Sequence, residues 1–464
     1  MSHALTTFFE PRQIAVIGAS AVAGKSGYVV VANILANGYE GKVYPVNPRG
    51  GEILGLPVTR SISELPQGID VAVIILPAEQ TVQALRECAA KGIRHAVLLA
   101  GGFAEVDEGR AKLQEELVKV LRETGIRTLG PNTSGHTSTP FKFTSSLFPL
   151  GKIRPGRVSF IAQTGNFATH TMKYILTGEH FGPCRVIGLG NKIDVEEGEA
   201  LEYLGQDPET SAIIIYVESL KNPRRFLEIA GEVTRRKPVV MLKGGATEAG
   251  RKAADAHTAA LGSEDRIVDG MLRQAGVVRI HEYTHLVLAA KAFSMLPPLQ
   301  GNRVSFLAPS GAMLTVLSDY CMRNGLAIPD LQPETVRRLQ EISPALIRMR
   351  NPVDIWPSCG VHGVEFGYRE GMEAVLRDPN IDAVVPIIML TKDIGVPSPD
   401  FIYDLSRKYP EKPVLLAFSA AKECMDQYKD SLEPRGVPTY PDIEQPFETL
   451  SILARCRAAL NRPR

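Results

Sequence analysis

Two stretches decide how this chain folds: Arg157-Val-Ser-Phe-Ile-Ala-Gln-Thr-Gly165 and Arg303-Val-Ser-Phe-Leu-Ala-Pro-Ser-Gly311, identical at six of nine positions. Each runs from a basic residue through a short β-branched and aromatic segment to small residues and a glycine. That pattern reads as a buried strand feeding a helix through a tight turn, the opening of a parallel α/β unit. A second pair recurs in the same order, Lys237-Pro-Val-Val-Met-Leu242 and Lys412-Pro-Val-Leu-Leu-Ala417. A repeat of this length predicts two related α/β domains and not a solenoid of short units.

Working outward, the second unit has strands at Val158–Ala162, Arg185–Gly188, Ala212–Val217 and Val239–Leu242. The third, after Pro297 and Pro298, has strands at Val304–Ala308, Ala383–Ile388 and Val414–Phe418. Upstream, Ile14–Ile17, Lys42–Val46, Val71–Leu76, Ala96–Leu99 and Arg127–Leu129 read as five more strands. Thr81–Lys91 and Glu108–Thr124 carry the i, i+3, i+4, i+7 apolar spacing of helices. The expectation is a Rossmann-like domain over 1–140, with Phe141–Pro155 as a linker, then related α/β domains over 141–300 and 301–464.

The 464 residues exceed one core, and 44% apolar residues exclude a disordered chain. With 52 basic and 51 acidic side chains the net charge is +1, against a surface built for nucleic acid or anionic membrane. The apolar stretch Val71–Ala78 falls far short of the roughly 18 residues of a membrane span. Met1–Phe9 lacks the charged and apolar regions of a signal peptide. A soluble cytoplasmic protein is expected. The six cysteines form no Cys-x-x-Cys pair and read as free thiols, and no metal site is expected.

Each unit opens with a small-residue turn: Gly18-Ala-Ser-Ala-Val-Ala-Gly24, Gln163-Thr-Gly-Asn166 and Pro309-Ser-Gly-Ala312. Such turns let backbone N–H groups approach an anion at a helix N-terminus, and equally serve as plain connections. Gly18, Ser20 and Gly24 do not fit G-x-G-x-x-G, and Val46-Asn47-Pro48 stands where an acidic ribose ligand would be. An NAD site is therefore disfavoured. The Gly/Ala-rich segment Lys243–Asp265 contains one histidine, His257, and reads as a loop. Neutral imidazole is a nucleophile able to carry a phosphoryl group; the alternative is a solvated loop histidine.

With these motifs in view, the sequence resembles the α chain of the nucleoside-diphosphate-forming acyl-CoA synthetases, the ADP-forming acetyl-CoA synthetases and their succinyl-CoA synthetase relatives. The resemblance runs from about Gln13 to the C-terminus. It rests on Val46-Asn47-Pro48, Gly130-Pro131-Asn132, Gln163-Thr164-Gly165, Gly190-Asn191-Lys192 with Asp194, Tyr216-Val217-Glu218, His257-Thr258 with Gly262-Ser263, and Asn351-Pro352-Val353-Asp354. It implies a CoA-binding domain followed by two flavodoxin-like domains. It makes His257 the phosphohistidine, oriented by Glu218. Gln163, Thr164, Gly165 and Asn166 would hold phosphate at one helix N-terminus, and Ser310, Gly311 and Ala312 at a second. Gly18, Ser20, Gly24, Lys25, Val46, Asn47, Pro48, Pro77, Glu105 and Asn132 would line the CoA site. The three units take up nearly all the residues, so the resemblance implies a separate ATP-grasp β subunit holding ADP or ATP with Mg2+, in an α2β2 assembly.

Several positions depart from the family pattern: Thr133 for a usual Cys, Ala259 for Gly, Ala162-Gln-Thr-Gly165 for Ser-Gln-Ser-Gly, and Ala308-Pro-Ser-Gly-Ala312 for Thr-Asn-Ala-Gly-Gly. The competing readings are a non-catalytic CoA- or acyl-CoA-binding protein of the same fold, and a dehydrogenase using the first domain.

Overall fold

The computed structural model describes residues 3–462 except 166, 259–264, 346, 392 and 394; the side chains of 108, 168, 169 and 254–258 also lie outside the description. Five parallel strands, β1 (Gln13–Ile17), β2 (Lys42–Val46), β3 (Val71–Ile74), β4 (His95–Leu98) and β5 (Arg127–Leu129), form the first sheet in the order β2-β1-β3-β4-β5. β3 is buried at every position, because helices cover both faces, and this is why it reads as a continuous apolar run. The helices Ala78–Ala90 and Glu108–Thr124 fall close to their expected positions. Asp107 caps the second, accepting from Arg110 N, and Gly125 ends it in the left-handed region at φ 68°.

The second sheet contains β6 (His136–Ser138), β7 (Phe143–Thr144), β8 (Val158–Ala162), β9 (Pro183–Gly188), β10 (Ala212–Val217), β11 (Val239–Lys243) and β12 (Val278–Ile280). Its order is β12-β11-β10-β8-β9-β6-β7, with β6 antiparallel to β9 and to β7. The stretch read as a linker thus begins with a strand: the β6–β7 hairpin extends the sheet edge. Its polar residues, with Thr137 Oγ1 and Thr144 Oγ1 2.8 Å apart, hide it from an apolar pattern search.

The third sheet is β14-β13-β15-β16-β17, from β13 (Val304–Ala308), β14 (Val353–Asp354), β15 (Ala383–Leu390), β16 (Leu416–Ala420) and β17 (Thr439–Tyr440), all parallel. Leaving the hairpin aside, the second and third sheets share the 2-1-3-4-5 order of flavodoxin-like folds, and the first has it too. The repeat extends to side chains. Lys237 Nζ donates to Asp207 O at 2.5 Å, and its counterpart Lys412 Nζ donates to Asp378 O at 2.7 Å.

The chain divides into two compact units, Met1–His281 and Glu282–Arg464. In the first, both sheets share one core that includes Ile14 and Val16 as well as Ile161 and Ile215. The Thr6–Phe9 helix is wedged into it: Phe8 and Phe9 are fully buried, Phe9 stacks on Tyr203 at 4.9 Å, and Phe8 lies edge-on to His136. Beside them Arg185, buried, is held by Asp207 at 3.2 Å and Glu10 at 3.3 Å. All six cysteines are free and buried. Among the described residues no helix is long and apolar enough to cross a membrane.

Candidate functional site

Every candidate of the first sheet comes from the carboxyl end of a strand, where open α/β sheets bind ligands. Gly18 follows β1 with φ 86°, and a Cβ there would sit 2.4 Å from the Ile75 carbonyl oxygen, so only glycine fits between the ends of β1 and β3. Ser20 Oγ accepts from Val22 N, which curls the turn, and Lys25 is exposed at the mouth of the Ser26–Ala36 helix. Gly24 has open space where a side chain would be. After β2, Val46 is buried, Pro48 is exposed, and Asn47 Nδ2 donates to Ala19 O at 2.8 Å, tying the second strand end to the first turn. Pro77 caps the Ala78–Ala90 helix after β3.

Glu105 and Asn132 close the crevice from β4 and β5. Glu105 Oε1 accepts from Gly102 N at 2.7 Å and Phe103 N at 3.2 Å, and Oε2 accepts from Asn191 Nδ2 at 2.7 Å. Burial pushes the Glu105 carboxyl up, but these hydrogen bonds outweigh it and leave the pKa below the usual value. Asn132 sits at φ 57°, a conformation asparagine tolerates, and its Nδ2 donates to Asn191 Oδ1 at 3.3 Å.

Asn191 belongs to the second sheet. The turn Gly190-Asn191-Lys192 after β9 locks into Gly130-Pro131-Asn132 after β5: Asn191 N donates to Pro131 O at 2.9 Å, and a Cβ on Gly190 would lie 2.1 Å from that oxygen. Next along, Asp194 receives Arg127 Nε at 2.9 Å and Thr128 N at 2.7 Å. Lys192 then turns inward and is buried. Its Nζ donates to Glu197 Oε2 at 2.9 Å, Ser219 O at 2.7 Å and Ser219 Oγ at 3.3 Å.

Ser219 lies beside Glu218 and Gln163, at the ends of adjacent strands β10 and β8. Gln163 Oε1 accepts from Glu218 N at 2.9 Å and Ser219 N at 3.3 Å, and its own N donates to Tyr216 O. Glu218 is 9% exposed, and its Oε1 accepts from Tyr216 OH at 3.3 Å. Gly244, just past β11, packs on both: a Cβ there would sit 3.2 Å from Tyr216 OH and 3.4 Å from Glu218 Cγ. Buried Lys243 donates to Gly244 O at 2.8 Å. Hydrogen bonds, with the peptide link between Asn191 and Lys192, therefore join Glu105 through Asn191, Lys192 and Ser219 to Gln163 and Glu218. Asn191, Lys192 and Asp194 stand in a family motif to which the sequence alone assigns no role. The available signal was a lysine and Glu197 flanking a strand-end turn among apolar residues.

The segment carrying His257 differs from its reading as a loop. Glu248–Thr258 is a helix, as its alanines favour, with Thr247 Oγ1 accepting from Gly250 N. His257 is on its last turn; its side chain and residues 259–264 lie outside the described residues, as does Asn166. Thr164 is half-buried and Gly165 exposed, and the helix beyond them opens with a wide π-helical turn, Phe167–Thr171, before Met172–Gly178. Ser310, Gly311 and Ala312 belong to the second unit, where Ser310 precedes the Gly311–Arg323 helix. Asp354 lies 3.8 Å from where a Gly311 Cβ would be, placing a carboxylate beside this turn. Two cavities of about 720 and 540 Å³ open away from both sets of strand ends, at the amino-terminal sides of the third and first sheets.

Two protein-family models match the chain. A CoA binding domain family matches residues 12–138, and a succinyl-CoA ligase like flavodoxin domain family matches 155–293. The chain is 33% identical over 458 residues to a Pyrococcus furiosus acetate–CoA ligase [ADP-forming] I subunit alpha, covering 97% of each. It is 36% identical over 442 residues to the Archaeoglobus fulgidus acetate–CoA ligase [ADP-forming] II, covering 95% of this chain but 65% of that protein. Among solved structures, the dinucleotide forming acetyl-coenzyme A synthetase 1 of Ca. Korarchaeum cryptofilum, in complex with phosphate and ADP, matches with TM-score 0.89 at 29% identity over 98% of both chains.

Proposed function

Because the chain belongs to the ADP-forming acyl-CoA ligase family, we propose that it is the α subunit of an ADP- or GDP-forming acyl-CoA synthetase. It interconverts acyl-CoA, NDP and phosphate with a carboxylic acid, CoA and NTP. Residues 1–140 bind CoA across the ends of β1–β5, residues 141–300 carry the phosphoryl chemistry, and residues 301–464 form the second flavodoxin-like domain. The exposed Lys25 at the first turn suits the CoA phosphates, and the open space at Gly24 leaves room for backbone approach.

A phosphate oxygen attacks the thioester carbonyl, the thiolate leaves, and an acyl phosphate forms. The His257 imidazole then attacks phosphorus, the P–O bond to the acyl group breaks, and the carboxylate departs. An ADP oxygen finally displaces the imidazole. Glu218 orients the ring and offsets the positive charge it gains. Gln163, Thr164, Gly165 and Asn166 hold phosphate, with Ser310, Gly311 and Ala312 as a second cradle. A separate ATP-grasp β subunit supplies ADP with Mg2+, in an α2β2 assembly. The observation that carries this reading is the meeting of Gln163, Glu218 and Gly244 at one set of strand ends, with the His257 helix leading out of it.

The test uses the α chain with its β partner. His257→Ala abolishes ATP formation and leaves CoA binding intact; Glu218→Gln slows it by about 10²-fold. Acid-labile, base-stable phosphate maps to the His257 peptide by mass spectrometry. Native-rate ATP synthesis by His257→Ala refutes the phosphohistidine assignment.

A further inference from the structure

The second unit holds an arginine-rich cavity that the proposed reaction does not use. It opens where the chain enters β13, between Asn302, Asn324 and the last helix, Gln445–Leu460, and has a volume of about 720 Å³. Its room comes from small residues: Ala454 and Ala458, one turn apart on that helix, and Gly301 and Gly325 facing them. Arg323, Arg455 and Arg457 line it, and none of its described lining residues is acidic. Three guanidiniums around a cleft of ligand size favour an anion as its occupant.

Arg457 supplies the second observation. Its terminal nitrogen donates to Gln300 Oε1 at 3.1 Å, which fixes the guanidinium plane, while its Nε is shielded from solvent and has no hydrogen-bond partner among the described residues. With Nε shielded, the guanidinium is held in one orientation and presents its terminal nitrogens toward the cavity it lines. Arg323 is steadied over the Tyr320 ring at 5.9 Å. The amide groups of Asn302 and Asn324 are committed to the backbone, donating to Gly325 O and Tyr320 O, and so brace the wall.

We propose that this cavity binds a small soluble polyphosphate anion of the pyrophosphate class, gripped by Arg323, Arg455 and Arg457. The site lies at the amino-terminal side of the third sheet, opposite the Ser310 turn at the carboxyl end of β13. Its ligand is therefore an effector of the second unit and not a reactant. The proposal stands independently of the acyl-CoA ligase reading.

The experiment titrates inorganic pyrophosphate into the full chain by calorimetry. It also follows thermal unfolding of the second unit through Trp356, the single tryptophan, which belongs to that unit. Saturable binding is expected, weakening with salt, with a raised melting temperature. Arg457→Gln and Arg455→Gln each weaken it about tenfold or more. Arg323→Gln, at an exposed position, does the same without disturbing the fold. Gln163→Ala, in the other unit, leaves it unchanged. Absence of saturable binding overturns the proposal, as does binding that survives all three arginine substitutions. Binding lost in Gln163→Ala also overturns it, by placing pyrophosphate at the strand ends of the second sheet.

Discussion

Replacing Lys192 with methionine tests the hydrogen-bonded path between the two strand-end clusters. Methionine matches the lysine stem in length, so packing is largely kept and the ammonium alone is lost. Three bonds disappear, one to Glu197 and two to Ser219. The Glu197 carboxylate is fully buried and keeps the Lys221 backbone N–H at 2.5 Å. Breaking a buried ion pair by removing one partner costs about 3–5 kcal/mol. The Lys221 ammonium, bonded to Lys192 O and Ile193 O, still interacts with the Glu197 charge through space and puts the expected cost near the lower figure, about 3 kcal/mol. For a unit of this size that lowers the melting temperature by about 6–12 °C. Circular dichroism reports it, while fluorescence of Trp356 in the other unit serves as the internal control. Adding Glu197→Gln removes the stranded charge and recovers at least half of the loss. A loss below about 1 kcal/mol, or a double variant no better than the single, refutes the reasoning.

Three further outcomes follow from particular residues. His136 is fully buried, with Nε2 donating to Phe8 O at 2.6 Å and Nδ1 accepting from Ser145 Oγ at 2.7 Å, and burial pushes its pKa down to about 4 from 6.5. Between those values the unfolded chain binds the extra proton, so first-unit stability is full above about pH 6.5 and falls as pH drops toward 4; His136→Gln flattens that slope in pH-dependent melting. Calorimetry finds CoA binding without NAD binding, and Lys25→Gln weakens the CoA affinity; tight NAD binding with no CoA binding reverses the assignment. The purified chain alone makes no ATP from ADP, and a coupled luminescence assay showing robust synthesis without a partner refutes the division of labour.

The strands of the three sheets were legible because β8, β13 and their kin are buried on both faces, which leaves an uninterrupted apolar run in the sequence. The edges were not. β6 and β7 are short and, Phe143 apart, built from threonine, serine and histidine, and β14 and β17 span only two residues each. The His257 segment reads as a loop because its small residues carry no apolar period, yet it folds as a helix because alanine is the strongest helix former.

By itself the sequence determined the alternation of strand and helix, the doubling of the second unit, and the small-residue turns at the strand ends. All of these are local: they depend on burial periodicity and on residues within one turn of each other. Only the tertiary structure decided that Glu105, Asn191, Lys192, Ser219 and Gln163 form one path to Glu218. It also decided that the Thr6–Phe9 helix is wedged into a core shared by two sheets, and that Arg323, Arg455 and Arg457 face a common cavity. Those partners lie tens to more than a hundred residues apart, and a hydrogen bond leaves no periodic trace in the chain. Their meeting is set by strand order, and strand order is a property of the packed sheet.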